Sequence, residues 1–152
     1  MGFPLLFSEL QFKCMNEITI RFDGGCRPTN PGNKYGSYRV EFLGRLLRHS
    51  SQFELGWGTN NEAEFEALLE ALKWVRDTLA NEGYNAADFS VRLLTDSTIL
   101  MNRINGRNRA NKSEPQQRMF RLSAACLDYL KPFAGFLVHW RSRHENVVVF
   151  GH

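Results

Sequence analysis

The sequence has few cysteines and no long apolar run, and each shortage excludes a class of protein. Cys14, Cys26 and Cys126 are an odd count, lie far apart and form no CxxC motif. Such a set is typical of free thiols in a reducing compartment and not of a disulfide framework, so we expect a cytoplasmic protein. No apolar stretch reaches the roughly 18–20 residues that span a bilayer, and we expect no membrane association.

Motifs for nucleotide binding are also missing, because the sequence contains neither a GxGxxG fingerprint nor a P-loop. The net charge of +3 permits binding to a polyanion without arguing for it.

The 152 residues, 43% hydrophobic and 23% charged, indicate one globular domain. Hydrophobic alternation begins just after Met15, so we divide the chain into an extension, residues 1–14, and a domain, residues 15–152. We expect a monomer without an obligate protein partner.

A run of alternating residues predicts the first strand. Ile18, Ile20 and Phe22 alternate with polar neighbours up to Asp23, which is the period of a strand. Two further strands are predicted over residues 35–43 and 46–55, joined by a glycine turn. The first third of the chain therefore predicts a meander of three strands.

The clearest helix follows this meander. Five apolar residues recur at helical spacing on one face: Leu68, Ala71, Leu72, Val75 and Leu79. Beyond it we predict a strand over residues 89–95, a short helix over 98–104, a helix opening at Ser113 and a strand over 136–140. This order predicts an α/β fold in which helices pack against a mixed sheet.

Three acidic residues lie at the ends of three of these elements. Asp23 ends the first strand, Asp96 ends the fourth, and Glu64 continues the apolar stripe of the long helix at its N-terminal end. Glu62 and Glu66 lie off that stripe and are interpreted as solvated surface acids. Hard cations such as Mg²⁺ prefer carboxylate and water oxygens. The three acids therefore suit two cations that act together on a phosphodiester.

Each of the three acids also has an ordinary structural interpretation. Asp23 stands before two glycines, as a turn aspartate does. Asn61 and Glu64 have the spacing of a capping box, and Asp96 stands where it would cap the next helix. The residues alone leave both interpretations open.

Three sequence motifs resemble those of the type 1 ribonuclease H family. Residues 22–32 (FDGGCRPTNPG) resemble its first-strand motif, residues 59–64 (TNNEAE) its helix start, and residues 94–97 (LTDS) its fourth-strand end. Their order and separations fit the family, and so does the late Trp140. The resemblance covers about residues 17–146. It implies the ribonuclease H-like fold, a five-stranded mixed sheet of three antiparallel meander strands and two parallel strands, flanked by helices.

The resemblance also implies an endonuclease that hydrolyses the RNA strand of RNA–DNA hybrids and leaves 5′-phosphate and 3′-hydroxyl ends. Asp23, Glu64 and Asp96 would hold two Mg²⁺ or Mn²⁺ ions. Six residues would contact the hybrid: Gly24, Cys26, Asn30, Asn60, Asn61 and Ser97. Asparagine amides suit this role because they can bond base edges and 2′-hydroxyls in the minor groove, and the 2′-hydroxyl distinguishes RNA from DNA.

The sequence departs from the family at the fourth acidic position. The family carries an aspartate four residues after an asparagine on its last helix, whereas here Asn146 is followed at that distance by Phe150. A phenylalanine cannot bind a metal. We therefore take the neutral amide of Asn146 as the candidate fourth ligand, its alternative role being to cap the final turn. The loss of one negative charge would weaken metal binding and favour Mn²⁺.

A catalytic histidine is also expected from the resemblance, because the family has one in the loop before its last helix. His144 is the nearest match, although its spacing differs. His152 would substitute if the tail folds back towards the acids. The ordinary interpretation of both is an exposed side chain.

Two other functions compete with an active ribonuclease. The missing fourth acid would suit a module that binds the hybrid with weakened catalysis. A 3′–5′ exonuclease of the same fold would begin with Asp-x-Glu on the first strand, whereas Asp23 is followed by two glycines. The binding module is therefore the alternative that an experiment must separate from the enzyme.

Overall fold

The sheet is the frame of this protein, for which a computed structural model describes residues 16–107 and 114–152. Its five strands are β1 (Glu17–Arg27), β2 (Gly32–Phe42), β3 (Arg45–Gly58), β4 (Ser90–Thr95) and β5 (Gly135–Trp140). The first three form an antiparallel meander. Strand β4 pairs with β1 in parallel, and β5 pairs with β4 in parallel. The order across the sheet is β3-β2-β1-β4-β5. The predicted mixed sheet of three antiparallel and two parallel strands is confirmed.

Four α-helices accompany the sheet in the described part of the chain. They are α1 (Asn60–Asn81), α2 (Thr98–Asn102), α3 (Glu114–Leu130) and α4 (Arg143–Phe150). A π-helical turn, Arg103–Arg107, continues α2 beyond the residues predicted for it. None of the helices that the structure describes is long and apolar enough to cross a bilayer. The predicted extension, residues 1–14, lies outside the described residues, and its boundary stays a prediction.

Burial of alternate residues holds β1 against α1. Ile18, Ile20 and Phe22 are completely buried, and so is nearly all of the α1 stripe predicted from helical spacing. Burying each large apolar side chain stabilises the fold by about 1.5–3 kcal/mol. The opposite face of β1 carries Asp23, so the packing of this strand on α1 sets where that acid lies.

The first strand runs further than its apolar alternation predicted. Its parallel pairing with β4 ends at Arg21, but its antiparallel pairing with β2 continues to Arg27. The prediction that the strand ends at Asp23 is therefore wrong. The reason is that backbone hydrogen bonds continue through Gly24 and Gly25, which supply no side chains to the hydrophobic pattern.

The N-terminus of α1 is capped by a different pair from the one that the spacing predicted. Thr59 is the N-cap, its hydroxyl accepts the Glu62 N–H at 3.2 Å, and the Glu62 carboxylate accepts the Thr59 N–H at 3.1 Å. The capping box predicted for Asn61 and Glu64 is therefore wrong. This shift leaves the Glu64 carboxylate available to the site.

Two acids on α1 were wrongly interpreted as solvated. Glu62 is buried and accepts a hydrogen bond from Arg118 Nε at 3.1 Å. Glu66 accepts two hydrogen bonds, at 2.6 and 2.7 Å, from the buried ammonium of Lys34. Both acids have a cationic partner, which offsets the cost of taking a charge out of water.

Replacing Thr59 by alanine is expected to destabilise the protein by about 1 kcal/mol, because the first turn of α1 loses a cap. The free energy of unfolding in urea measures the effect. Thr59→Ser keeps the hydroxyl and serves as the control. If the alanine variant is as stable as the serine variant, the Thr59 hydroxyl does not stabilise the helix.

Candidate metal centre

Three carboxylates from separate elements meet beside the sheet. Asp23 lies in β1, Glu64 near the N-terminal end of α1, and Asp96 directly after β4. One oxygen of each lies within 4.8 Å of the others. Asp23 is 7% exposed and Glu64 8% exposed, while Asp96 is half-buried. The structure thus brings together the three acids that the sequence motifs singled out.

Asp96 is not the helix cap that its position also suggested. Ser97 is the N-cap of α2, and its hydroxyl accepts the Leu100 N–H at 3.1 Å. The Trp140 indole donates to the backbone oxygen of Asp96 at 3.2 Å. The backbone around Asp96 is therefore held by its neighbours, and its carboxylate can face the other two acids.

The crowding of the acids disfavours their charged forms. Burial and then the charge of Asp96 raise the pKa of Asp23 to about 6. Burial and then the charges of Asp23 and Asp96 raise the pKa of Glu64 well above its usual range. Glu64 Oε2 is buried without a hydrogen-bond partner. An unpaired acceptor among three acids fits a cation, and this donor set fits a hard dication such as Mg²⁺ or Mn²⁺.

Glycine at position 24 allows β1 to approach α1 closely. A Cβ atom there would lie 2.4 Å from the carbonyl carbon of Ala63 and 2.7 Å from the backbone nitrogen of Glu64. Since both contacts are with backbone, no side-chain rotation would relieve them. Gly24 therefore brings Asp23 and Glu64 together, and it also lines the cavity described next.

A cavity of about 450 Å³ opens beside the acids. Seven residues predicted for the site line it: Gly24, Cys26, Asn60, Asn61, Glu64, Asp96 and Ser97. Trp140 also lines it, together with five residues for which the sequence predicted no role: Gly25, Tyr35, Thr98, Ile99 and Arg143. Tyr35 pairs with Gly25 across β1 and β2. The register of the β1–β2 hairpin is the sequence feature that could have placed Tyr35 beside the site.

Asn30, Asn60 and Cys26 form one hydrogen-bond network at the mouth of this cavity. The Asn60 amide oxygen accepts the Cys26 N–H at 2.8 Å, and the Asn30 amide oxygen accepts the Asn60 N–H at 3.1 Å. The Cys26 thiol lies 3.2 Å from the Asn60 amide oxygen. These contacts tie the end of β1 to the start of α1 and orient the two amides.

Asn146 and His144 lie on α4. Asn146 is completely buried, its amide oxygen accepts a hydrogen bond from Arg21 at 3.3 Å, and its amide nitrogen has no partner. His144 is exposed. The ligand role predicted for Asn146 and the catalytic role predicted for His144 both stay predictions.

The tail after α4 folds back onto the site. His152 Nδ1 lies 3.5 Å from Asp23 Oδ2, and its Nε2 lies 2.5 Å from Ser37 Oγ. Burial and then the positive charges of Arg27 and Arg143 lower the pKa of His152, so its ring is neutral at pH 7. Of His144 and His152, the two candidate catalytic histidines, His152 is the one that lies beside an acid of the cluster, Asp23.

Phe150, at the position where the resemblance led us to expect an aspartate, anchors this tail instead. Its side chain is 5% exposed and packs between the rings of His49, at 5.8 Å, and His152, at 5.9 Å. The last helix therefore ends on a buried aromatic side chain.

No family model and no curated protein matches the chain. Solved structures do match it. RNase H1 from the archaeon Halobacterium salinarum is 24% identical with a TM-score of 0.66, over 86% of this chain and 89% of that one. The N-terminal RNase H domain of a Mycobacterium tuberculosis protein is 25% identical with a TM-score of 0.68, over 86% and 91%. LC11-RNase H1, isolated from compost and solved in complex with an RNA/DNA hybrid, is 22% identical with a TM-score of 0.67, over 86% and 89%.

Proposed function

Since the chain has the ribonuclease H fold and its solved neighbours support assignment to the ribonuclease H family, we propose that it is an endonuclease that hydrolyses the RNA strand of RNA–DNA hybrids. The cleavage would leave 5′-phosphate and 3′-hydroxyl ends. The solved neighbours support a ribonuclease H-type nuclease.

The observation that carries this proposal is the cluster of Asp23, Glu64 and Asp96. Its oxygens lie within 4.8 Å of one another, and one of them, Glu64 Oε2, is buried without a partner. Bound dications would supply Lewis-acid stabilisation of the attacking and leaving oxygens of a phosphodiester displacement. The protein's own part is to hold the carboxylates in one place before the substrate arrives.

The walls of the cavity suit a hybrid duplex. Asn60 and Asn61 present amides beside the acids, and amides can bond 2′-hydroxyls and base edges without demanding one sequence. Trp140 and Ile99 are 50% and 43% exposed there and offer apolar surface to sugars or bases. Arg143 adds a positive charge for phosphate. LC11-RNase H1 was solved in complex with an RNA/DNA hybrid, which supports such a hybrid as the ligand of this cavity.

The sequence adds further predictions to this function. Asn146 is the predicted fourth metal ligand, and His144 is the predicted catalytic histidine. A monomer in a reducing cytoplasm is the expected setting, which the free thiols of Cys26 and Cys126 support.

A labelled 20-base-pair hybrid tests the function. With Mg²⁺ or Mn²⁺ we expect internal cuts in the RNA strand alone, each leaving a 5′-phosphate, and no cleavage of single-stranded RNA or of either homoduplex. Asp23→Asn is the control and should lower the rate on the order of 10³-fold, because it removes one ligand charge worth several kcal/mol in the transition state. Wild-type activity in that variant would remove Asp23 from the site.

A hybrid-binding module with weakened catalysis is the second candidate, because Phe150 occupies the position where the family carries its fourth acid. The same experiment separates the two candidates. Hybrid binding without cleavage, across the full range of Mg²⁺ and Mn²⁺ concentrations, would favour the module and contradict the enzyme.

A further inference from the structure

His152 faces an oxygen of Asp23, a member of the acidic cluster. Asp23 Oδ1 accepts the N–H of Gly24 at 3.0 Å, while Oδ2 lies 3.5 Å from His152 Nδ1. That distance exceeds the 2.7–3.2 Å typical of an N–H···O hydrogen bond. Neighbouring ligands of an octahedral ion, each roughly 2.1 Å from it, lie about 3.0 Å apart, so a shared Mg²⁺ or Mn²⁺ ion would need the two atoms to approach by only about 0.5 Å.

We propose that His152 is a metal ligand, and that its Nδ1 shares a second cation with Oδ2 of Asp23. The inference rests on the proposed function, which calls for two ions. The three acids form one compact group of oxygens, and a second ion about 3.5–4 Å from the first would gain affinity from a further ligand beside that group. Among the described contacts, the imidazole of His152 supplies such a ligand atom beside Asp23, with its Nδ1 3.5 Å from Oδ2.

The contact at the far side of the ring is compatible with this role in one of the two imidazole tautomers. Nε2 lies 2.5 Å from Ser37 Oγ, which also accepts the N–H of Gln52 at 2.8 Å. When Nε2–H donates to Ser37, Nδ1 carries the lone pair that faces the Asp23 carboxylate. Two acceptors that face each other are stabilised by a cation between them. Metal-binding histidines ordinarily donate their other ring N–H in this way.

The surrounding chain holds the imidazole in position. Gly151 adopts a left-handed conformation, with φ +80°, and its N–H donates to Val147 O at 2.8 Å. This turn stacks His152 on Phe150, with the ring planes 20° apart, and places it edge-on to Tyr35 with ring centres 4.8 Å apart. Its side chain is 9% exposed. The ring is therefore packed on two sides and hydrogen-bonded on a third.

This ligand stands in a different place from the one that the sequence resemblance suggested. The fourth-acid position is Phe150, which packs against His152. The amide oxygen of Asn146 accepts a hydrogen bond from Arg21. The experiment must therefore distinguish the imidazole nitrogen of His152 from the amide of Asn146.

Mn²⁺ bound to the 152-residue protein distinguishes them without any activity assay. Electron spin-echo envelope modulation detects ¹⁴N coupling when an imidazole nitrogen binds Mn²⁺, and calorimetry gives the number and affinity of the ions. We expect ¹⁴N modulation in the wild type and in Asn146→Ala, and none in His152→Ala. His152→Ala should bind the second Mn²⁺ at least tenfold more weakly, and His152→Asp should restore that binding without ¹⁴N modulation.

His144→Ala is the matched control, because it removes an exposed histidine from α4 while leaving His152 in place. Persistent ¹⁴N modulation in a folded His152→Ala, its absence in the wild type, or its loss in His144→Ala would overturn the proposal. If Mn²⁺ binds through His152 but no hybrid is cut, the proposed function fails and this inference stands. If hybrids are cut and the ¹⁴N signal does not depend on His152, the proposed function stands and this inference fails.

Discussion

Glu64→Gln is expected to stabilise the metal-free protein while lowering hybrid cleavage on the order of 10³-fold. In the wild type the Glu64 carboxylate is buried beside two other acids, and one of its oxygens has no partner. Gln keeps the shape, removes the charge and can donate to the neighbouring carboxylates. Relief of this repulsion should add on the order of 1 kcal/mol of stability. The loss of a charged ligand removes several kcal/mol of transition-state stabilisation.

The pH dependence of stability gives the same substitution a second readout. Because the pKa of Asp23 is raised from 3.8 to about 6 in the folded protein, the folded state binds more protons than the unfolded chain between those values. The metal-free protein should therefore lose stability as pH rises from about 4 to about 6, by up to about 3 kcal/mol from this group. Saturating Mn²⁺ should remove the loss, whereas Glu64→Gln should preserve it, because burial and Asp96 raise the pKa of Asp23 while the contact with Glu64 lowers it.

Urea unfolding in EDTA across pH 4–8 measures both effects. Glu66→Gln is the matched control on the same helix, since Glu66 is paired with Lys34 and its neutralisation should destabilise the protein. If Glu64→Gln and Glu66→Gln change the stability in the same direction, the acids of the cluster do not repel one another as described.

Gly24→Ala is expected to destabilise the fold by about 3 kcal/mol and to weaken Mn²⁺ binding. The added Cβ would meet the backbone of Ala63 at 2.4 Å and that of Glu64 at 2.7 Å, so β1 and α1 must separate. Overpacking of this kind costs about 1–3 kcal/mol, and occasionally more when backbone must move. The same separation would move Asp23 away from Glu64. The substitution therefore affects the fold and the metal site together.

Urea unfolding and Mn²⁺ calorimetry test this second prediction. Gly135→Ala provides the control, because a Cβ at Gly135 would meet nothing within 4 Å, and its effect should stay below about 1 kcal/mol. A Gly24→Ala variant with wild-type stability and wild-type Mn²⁺ affinity would mean that the close approach of β1 to α1 is not required.

The sequence predicted the fold well where side chains repeat with a clear period. Ile18, Ile20 and Phe22 revealed β1, and the stripe ending at Leu79 revealed α1, because these residues are buried. The end of β1 was missed because Gly24 and Gly25 carry no apolar side chain, although their backbone pairs with β2. A hydrophobic pattern reports burial, and it does not report where backbone pairing stops.

The site was predicted in the parts that local motifs define and missed in the parts that depend on tertiary contacts. Asp23, Glu64 and Asp96 each follow a local motif, and the structure clusters them. The cap of α1 was misplaced because both Thr59 and Asn61 can cap a helix, and only backbone geometry chooses between them. Ser37 was not singled out, since its importance depends on lying opposite Asp23 across two strands.

The irregular pairing of β3 with β2 has a consequence for spectroscopy. Between Gly36 and Tyr38 the register shifts, so that Ser51 and Gln52 together oppose Ser37. The Gln52 N–H consequently bonds the Ser37 hydroxyl, and Gln52 has a positive φ of 53°. Amides of edge strands usually exchange rapidly with deuterium, whereas this one is held by a buried side chain. The deuterium-exchange rate of the Gln52 amide, which lies on the edge strand β3, therefore reports whether the Ser37 hydroxyl next to His152 is in place.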